Sequence, residues 1–225
     1  MELSWKPALS ALGLVDPAAI NALKSAAEVK LFSEGATIIA QDEDEDQVYI
    51  LLSGRARVVL LSENGQEIWL DQLDPGAVLG ELAALTGQRR TSEIIAELPS
   101  MLAIFSSGSF FDLVRSHGEL GMSLARILAG RVHHTTQRMF ELSALSAPGR
   151  VYAEILRMAG PPADGHYRVI EPIPSLTAIA GRINTTRETV SRTISDLERR
   201  GLLERSETGF KLVDPDRLDR LQAIS

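Results

Sequence analysis

The chain has 225 residues, 44% of them hydrophobic and 24% charged, which is enough for two small domains or one larger one. Its formal net charge is −7, but residues 148–225 hold 12 Lys and Arg against 11 Asp and Glu, so the acidic excess lies before them and any phosphate contacts must be local. The absence of cysteine excludes disulfides, cysteine-ligated metal sites and iron–sulfur clusters.

The first half of the chain is predicted to be mainly β-structure. A short helix is expected at residues 15–25, with Asp16 as its N-cap and Pro17 at its first position. Short β-type segments then alternate with Gly or acidic turns as far as residue 107; they are residues 28–32, 37–39, 48–52, 56–61, 68–70, 92–96 and 101–104. This regular spacing predicts a barrel or jelly roll, and Asn64-Gly65 is typical of a type I′ hairpin turn.

The acidic run at residues 42–46 raises the question of a metal site. It lacks the Gly and the terminal Glu spacing of a calcium loop, and acidic runs in turns are usually solvated. We therefore predict no metal site in this chain.

Residues 79–92 combine groups that suit an anionic, hydroxyl-bearing ligand. Gly80 allows a ligand to approach the backbone closely, and the start of the short helix after it offers N–H groups. Arg90 can hold a phosphate with two donors, and Thr91 adds a hydroxyl. Glu81 is a poor neighbour for phosphate but a good acceptor for a ribose hydroxyl, so the set favours a nucleotide. A purely structural Glu81–Arg90 salt bridge explains the same two residues equally well.

A long helix is predicted from about residue 110 to 145. Residues at spacings of four and three form a seam of nearly three heptads: Leu124, Leu128, Val132, Thr135, Met139 and Leu142. We favour a homodimer seam over residues 120–145 rather than a helix packed on the β-domain, since the polar Thr135 is easier to explain if it faces a ligand. Ala147-Pro148-Gly149 is then predicted to be the hinge between domains.

Residues 174–201 predict a helix-turn-helix. Ser175 is a good N-cap for a first helix whose buried face is Ile179, Ala180 and Ile183. Asn184 suits a left-handed turn residue, and Thr185 with Glu188 has the spacing of a capping box that starts the second helix. The buried stripe of that helix is formed by Val190, Ile194 and Leu197.

Arg187, Glu188, Ser191 and Arg192 lie off the buried stripe of the second helix. An arginine fork matches guanine O6 and N7, a carboxylate accepts from cytosine N4, and a recognition helix uses its N-terminal residues for such contacts. A solvated i,i+4 charge pattern explains the same residues, and Glu188 has the alternative of capping its own helix. Residues 203–213, with Thr208-Gly209 at the tip, are typical of a wing hairpin in which Arg205 and Lys211 reach phosphate.

Two motifs carry a resemblance to a known family. Thr-Arg-Glu-Thr-Val-Ser-Arg at residues 186–192 resembles the recognition helix of the cyclic AMP receptor protein superfamily, which includes the fumarate–nitrate regulators. Gly-Glu-Leu at 80–82 with Arg-Thr at 90–91 resembles the phosphate-binding cassette of cyclic-nucleotide-binding domains. The resemblance covers about residues 15–214, and it departs from the pattern at Ser92, at Asp42 and in a shorter loop before Gly87.

The resemblance implies a role for each matching residue. In the family's pattern Glu81 binds the ribose 2′-hydroxyl, and Arg90 with Thr91 binds the cyclic phosphate. Aligning Gly149-Arg150 with the family's hinge puts Thr135 on the adenine of its own subunit and Thr136 on that of the partner. The full implied sets are Gly80, Glu81, Leu82, Arg90, Thr91, Arg131, Thr135 and Thr136 for cyclic AMP, and Ser175, Thr186, Arg187, Glu188, Arg192 and Lys211 for DNA.

The predicted fold is α+β: a jelly-roll cyclic-nucleotide-binding domain at residues 1–109, a dimerisation helix at 110–146 and a winged helix-turn-helix at 147–225. The predicted function is a homodimeric, cyclic AMP-responsive transcription regulator that binds a TGTGA-type palindrome and, as a partner, RNA polymerase. No apolar run reaches transmembrane length and residues 1–4 are not typical of a signal peptide, so we expect a cytoplasmic protein without a membrane partner.

Several alternatives keep part of this interpretation. In the first alternative the protein binds DNA but responds to cyclic di-GMP, to haem or to no ligand. Haem is disfavoured because the adjacent His133 and His134 lie about 100° apart on a helix and cannot face one site together. A second is a nucleotide sensor without DNA binding. An enzyme is disfavoured because we find no nucleophile elbow, metal-spaced histidine pair or Walker loop.

Overall fold

The computed structural model describes residues 4–62, 67–160, 167–171 and 175–223. The predicted hairpin turn at Asn64-Gly65 lies outside the described residues. The chain divides into two compact units, Met1–His133 and His134–Ser225, which we describe separately. The division into three domains drawn from the sequence stays a prediction.

Unit 1 begins with two short helices, α1 (Lys6–Leu12) and α2 (Pro17–Ala26). The side chain of Asp16 accepts hydrogen bonds from the backbone N–H groups of Ala18 and Ala19, so the predicted N-cap of α2 is confirmed. Helix α1 was not predicted, because its seven residues are too few to give a clear helical period.

The β-strands of unit 1 form a jelly roll, as predicted. They are β1 (Glu28–Phe32), β2 (Thr37–Ile39), β3 (Val48–Ser53), β4 (Ala56–Leu61), β5 (Glu67–Leu73), β6 (Val78–Leu79), β7 (Glu93–Ala96) and β8 (Ser100–Phe105). Within the described residues they pair into two four-stranded antiparallel sheets, in the orders β1-β8-β3-β6 and β2-β7-β4-β5. Strand β6 was missed because two residues carry no alternation.

Strand β3 is buried on both faces and explains where the core of unit 1 lies. Ile50 and Leu52 point into a cluster shared with the helices, whereas Tyr49 and Leu51 point into a second cluster between the sheets. Successive side chains of a strand point to opposite faces, so one strand anchors both clusters. This double burial also accounts for the continuous apolar sequence of β3.

Three further helices complete this part of the chain: α3 (Glu81–Thr86), α4 (Ser107–Ser116) and α5 (Gly118–Ala144). The helical stretch predicted from residue 110 to 145 is therefore broken at His117, and the boundary between the units falls inside α5. The beginning of the predicted seam packs on the β-domain, because Leu124 is 7% exposed and lies in a core cluster of unit 1 with Leu128 packed against it. Further along, Val132 is 67% and Met139 64% exposed. Among the helices described, none combines the length and apolarity needed to cross a bilayer.

Unit 2 contains a winged helix-turn-helix, as predicted. Its elements are α6 (Ala147–Met158), β9 (Arg168–Ile170), α7 (Leu176–Arg182), α8 (Arg187–Arg199), β10 (Leu203–Arg205), β11 (Phe210–Leu212) and α9 (Pro215–Ala223). The wing strands pair in the antiparallel order β10-β11-β9. All six residues predicted for the buried faces of α7 and α8 are buried in one cluster.

Two predictions about helix ends in unit 2 are wrong. Ala147-Pro148-Gly149 form the first turn of α6, which Ser146 caps, because proline suits the first turn of a helix; only Leu145 and Ser146 separate α5 from α6. The N-cap of α8 is Thr186 and not Thr185: the Thr186 hydroxyl accepts from the Thr189 N–H at 3.2 Å. The N–H of Thr185 is used to close the preceding helix on the Ala180 carbonyl at 3.0 Å.

Asn184 occupies the left-handed region at φ 49°, which confirms its predicted role in the turn between α7 and α8. We expect Asn184→Ala to lower the free energy of unfolding of unit 2 by about 1 kcal/mol, since asparagine tolerates this region better than alanine. Asn184→Gly should cost less, because glycine adopts positive φ without strain. Urea denaturation followed by circular dichroism measures both, with the exposed Ser195→Ala as the control. An alanine variant as stable as the glycine variant would contradict the assignment.

Candidate functional site

Gly80 connects β6 to α3 and can only be glycine. Its φ is 76°, and a Cβ at this position would collide with the guanidinium of Arg90 and lie 2.7 Å from the Gln47 carbonyl oxygen. The sequence predicted that Gly80 lets a ligand approach the backbone closely. The side chain that approaches in this structure is Arg90 itself.

Arg90 is 3% exposed and is held by backbone carbonyls. Its Nη1 donates to the Gly80 carbonyl at 2.8 Å and its Nη2 to the Gln47 carbonyl at 2.7 Å. Its Nε is buried and finds no acceptor among the described residues. A guanidinium has five N–H donors, so donors remain for an anion after these two bonds.

Glu81 begins α3 and is 1% exposed. Arg131 of α5 donates to its Oε1 and, through the second amino group, to the Val78 carbonyl at 2.5 Å. Burial raises the pKa of the Glu81 carboxyl, and the attraction to Arg131 offsets only part of that increase. The other oxygen, Oε2, is buried and has no hydrogen-bond partner within the described part of the chain.

The structure excludes one of the two interpretations of Glu81 and Arg90. The Glu81–Arg90 salt bridge is not formed, because Arg131 occupies the carboxylate while Arg90 is turned to backbone carbonyls. The structure thus brings Gly80, Glu81, Arg90 and Arg131 together. Within the described residues, Glu81 Oε2 and Arg90 Nε are buried without a hydrogen-bond partner, so a ligand could supply a partner to each.

The remaining residues predicted for the ligand site are exposed. Leu82 projects from α3 and Thr91 lies in the connection to β7. Thr135 and Thr136 lie on α5 within unit 2 and are also exposed, so their contacts to a ligand stay predictions.

The departure from the family pattern at Asp42 is accommodated by the backbone. Asp42 has φ 65°, a region that suits the usual glycine and that aspartate tolerates better than most residues. Its N–H donates to the Arg90 carbonyl at 3.0 Å, and the N–H of Arg90 donates to the Glu43 carbonyl at 3.1 Å. The acidic turn therefore fixes the backbone of Arg90.

The first turns of α8 present the predicted DNA-contacting side chains to solvent. Arg187 is exposed, and the Arg192 guanidinium lies 2.6 Å from the Glu188 carboxylate in an i,i+4 pair whose side chains are about three-quarters exposed. Glu188 therefore pairs with Arg192 instead of capping its own helix. An exposed pair of this kind contributes only about 0.3–0.5 kcal/mol, so either member can exchange its partner for a base.

The other predicted DNA-binding residues have defined local roles. Ser175 caps α7 by accepting from the Ala178 N–H at 3.1 Å, as predicted. In the wing, the Lys211 ammonium lies 3.5 Å from the Glu204 carboxylate and 4.5 Å from the ring centre of Tyr167. Arg205 lies 3.2 Å from the Glu198 carboxylate. To contact phosphate, Lys211 or Arg205 would have to leave its carboxylate partner.

Sequence analysis missed a group of buried charges in unit 2. We call it the arginine cluster; it consists of Arg138 and Glu141 on α5, Glu154 and Arg157 on α6, and Arg182 at the end of α7. The available signal was Glu154 itself, which lies within a run of apolar residues on α6 and has Arg157 three positions later. Its partners on α5 and α7 are brought close only by tertiary packing, so the spacing of residues in the sequence could not predict them.

Fold and site together define a DNA-binding transcription regulator that carries a cyclic-nucleotide-binding domain. Residues 29–117 match the family of cyclic nucleotide-binding domains, and residues 149–221 match the Crp-like helix-turn-helix domain. The chain belongs to the superfamily of the cyclic AMP receptor protein and the fumarate–nitrate regulators, in which homodimers are typical.

Individual relatives extend over nearly the whole chain. The CRP-like cAMP-activated global transcriptional regulator of Mycobacterium tuberculosis is 27% identical over 209 residues, covering 92% of this chain and 93% of that protein. The structure of a CooA mutant from Carboxydothermus hydrogenoformans superposes with a TM-score of 0.81 at 19% identity, covering 98% of each chain. The c-di-GMP responsive global regulator CLP of Xanthomonas campestris gives 0.74 at 16% identity, covering 88% of this chain and 99% of CLP.

The raised pKa of Glu81 predicts a pH-dependent effect of Glu81→Gln on stability. Between the ordinary carboxyl pKa and the raised value, the folded state binds more protons than the unfolded state, so the contribution of Glu81 to stability falls as pH rises through the folded pKa. The free energy of unfolding of the variant, relative to wild type, should therefore rise as pH increases above the ordinary carboxyl pKa.

Denaturation of unit 1 can be followed by tryptophan fluorescence, because Trp5 and Trp69 both lie in that unit and the sequence has no others. The exposed Glu34→Gln variant is the matched control and should show no such trend. Loss of the Arg131 ion pair is part of the same trend, because that attraction exists only while Glu81 is charged. A difference in the free energy of unfolding between wild type and Glu81→Gln that stays constant with pH would contradict the raised pKa of Glu81.

Proposed function

We propose that this protein is a cyclic AMP-responsive homodimer that regulates transcription by binding a TGTGA-type palindrome. The observation that carries the ligand proposal is the pair of buried groups in the cassette. Glu81 Oε2 is an acceptor and Arg90 Nε a donor, and neither has a partner among the described residues.

A cyclic nucleotide fits both groups. Its phosphate needs N–H donors, which Arg90 retains after its two carbonyl bonds, and the Thr91 hydroxyl adds another. Its ribose 2′-hydroxyl needs an acceptor, for which Glu81 Oε2 is free of hydrogen bonds within the described residues. Gly80 adds no side chain where the ligand would approach the backbone. Free phosphate would use the donors but would leave the carboxylate oxygen unsatisfied.

Adenine is proposed as the base because Thr135 and Thr136 offer hydroxyls on α5. In the family's pattern Thr135 contacts the adenine bound by its own subunit, and Thr136 contacts the adenine bound by the partner subunit. The relative from Mycobacterium tuberculosis is named as cAMP-activated, which supports this choice. CLP is named as c-di-GMP responsive and shares the fold, so the fold alone does not select the nucleotide. The nucleotide is therefore proposed from Glu81, Arg90 and the two threonines together.

The proposed output is a pair of α8 helices in successive major grooves. Arg187 and Arg192 carry the planar forks for guanine, and Glu188 accepts from cytosine after releasing Arg192. The proposed contacts to the DNA backbone are made by Ser175, Thr186 and Lys211. Dimerisation over residues 120–145 would cover the exposed Val132 and Met139. Cyclic AMP acts by binding one arrangement of the dimer more tightly than others, and RNA polymerase is the proposed partner of the DNA-bound form.

Calorimetric titration with cyclic AMP tests the ligand. We expect Arg90→Leu to bind about a hundredfold more weakly than wild type, because charge-assisted hydrogen bonds to a phosphate contribute about 1.5–3 kcal/mol each. Arg89→Leu is the matched control: this neighbour is exposed and paired with Asp44 at 3.1 Å, so its loss should leave affinity unchanged. Thermal unfolding confirms that both variants fold.

Equal heats in wild type and Arg90→Leu, or none in wild type, would refute the cyclic AMP site. Parallel titrations with cyclic GMP and cyclic di-GMP decide the nucleotide. If wild type binds cyclic GMP or cyclic di-GMP more tightly than cyclic AMP, that nucleotide and not cyclic AMP is the signal.

Fluorescence anisotropy with a labelled TGTGA palindrome tests the output. Cyclic AMP should increase the affinity of wild type, and Arg187→Ala should cost about 1–3 kcal/mol per half-site by removing a bidentate base contact. Arg199→Ala, an exposed arginine on the last turn of the same helix, is the control and should have little effect. Binding that is equally tight without nucleotide would indicate constitutive DNA binding, and no preference for TGTGA over a scrambled site would refute the proposed half-site.

A further inference from the structure

The arginine cluster joins three helices of unit 2 at one buried carboxylate. Glu154 of α6 contacts Arg138 of α5 at 3.3 Å, Arg182 of α7 at 3.5 Å, and Arg157 of its own helix. Arg157 also reaches Glu141 of α5 at 2.5 Å. The side chain of Glu154 is 2% exposed and that of Glu141 4%, so these bonds form inside the unit and not on its surface.

The cluster continues into the turn of the helix-turn-helix. Arg138 donates to the carbonyl of Arg182 at 2.8 Å, and Arg150 donates to the carbonyls of Ile183 and Asn184 at 2.9 and 3.2 Å. Arg150 also donates to the Leu145 carbonyl at 3.0 Å, immediately after α5 ends. The turn that starts the recognition helix is thus bonded directly to the last turns of α5.

The chemistry of these bonds favours a role in orientation over a role in stability. A buried ion pair can usually be replaced by apolar residues of similar volume without loss of stability. A guanidinium, however, is a rigid fork that fixes direction, whereas apolar helix faces pack in several arrangements of similar energy. The two carboxylates and three guanidiniums of the cluster have the geometry to favour one angle between α5 and the helix-turn-helix.

We propose that the arginine cluster is a positioning element that sets the angle of each recognition helix on the end of α5, and thereby the half-site spacing that the dimer accepts. The inference rests on the proposed function, because spacing has a meaning only for a dimer that binds two half-sites. In such a dimer the distance between recognition helices is fixed by the protein and must match the DNA helical repeat, about 10.5 base pairs centre to centre or a multiple of it. A loosened angle would let the same helices reach other spacings.

Arg138→Met is the most direct test. It removes the α5 member that contacts Glu154 and the Arg182 carbonyl but leaves Glu154 paired with Arg157 and Arg182. Glu154→Gln tests the centre of the cluster. Arg126→Met is the matched control, because Arg126 is an exposed arginine on the same helix and outside the cluster. Affinity is measured for the full-length chain with cyclic AMP, on single half-sites and on palindromes with spacings from about 8 to about 13 base pairs.

We expect wild type and Arg126→Met to prefer one spacing by at least about tenfold. Arg138→Met and Glu154→Gln should bind that palindrome about tenfold more weakly, bind neighbouring spacings unchanged or better, and bind a single half-site within about twofold of wild type. A flattened spacing profile with intact half-site binding is a result that a merely structural role would not give.

The inference and the proposed function fail in different ways. A spacing preference that Arg138→Met and Glu154→Gln both retain would overturn the positioning role and leave the proposed function standing. Equal loss on half-sites and on all palindromes would also overturn it, since the cluster would then only stabilise the fold. A wild-type protein that binds no palindrome would overturn the proposed function, and this inference with it.

Discussion

The buried bond between Glu81 and Arg131 is the constraint on which the ligand site depends. A carboxylate that is 1% exposed is costly to keep charged, and Arg131 compensates only one of its two oxygens. The second oxygen is left for a ligand, while the same arginine ties the start of α3 to α5. Any ligand that satisfies Oε2 therefore changes the surroundings of a group already bonded to the long helix. This is the physical reason for regarding the cassette as a sensor and not only as a pocket.

Ion pairs cover much of the proposed DNA-binding face of this acidic protein. Three of its cations have carboxylate neighbours: Arg192 with Glu188, Arg205 with Glu198 and Lys211 with Glu204. At each of these three positions a contact with DNA would replace an exposed ion pair, which lowers the gain from phosphate attraction by a modest amount. Base-edge contacts, which need the correct sequence, then supply a larger share of the affinity. The near-neutral composition of residues 148–225 is therefore compatible with specific binding and unfavourable for indiscriminate binding.

How far the sequence predicted the structure differs between local and tertiary features. Strands such as β1 and β2 were predicted to the residue, and the caps at Asp16 and Ser175 follow from side chains that bond within three residues of themselves. Thr185 and Thr186 both satisfy the rules for an N-cap, and only the path of the preceding turn decides between them. The resemblance implied Arg131 as a cyclic-nucleotide contact, but its bond to Glu81 was not predicted, because 50 residues separate the two. The arginine cluster was not predicted for the same reason, because its members on different helices lie far apart in the sequence.

Helix α5 carries the residues that link these observations. Arg131, Thr135 and Arg138 follow one another at spacings of four and three, so they share one face of the helix, about two turns long. The first bonds the cassette carboxylate, the second is the proposed adenine contact and the third bonds Glu154 of the cluster. Arg131 belongs to unit 1, whereas Thr135 and Arg138 belong to unit 2, so one face of a single helix carries residues of both units. Their common face follows from the spacing of the sequence, but the partners of Arg131 and Arg138 follow only from tertiary packing.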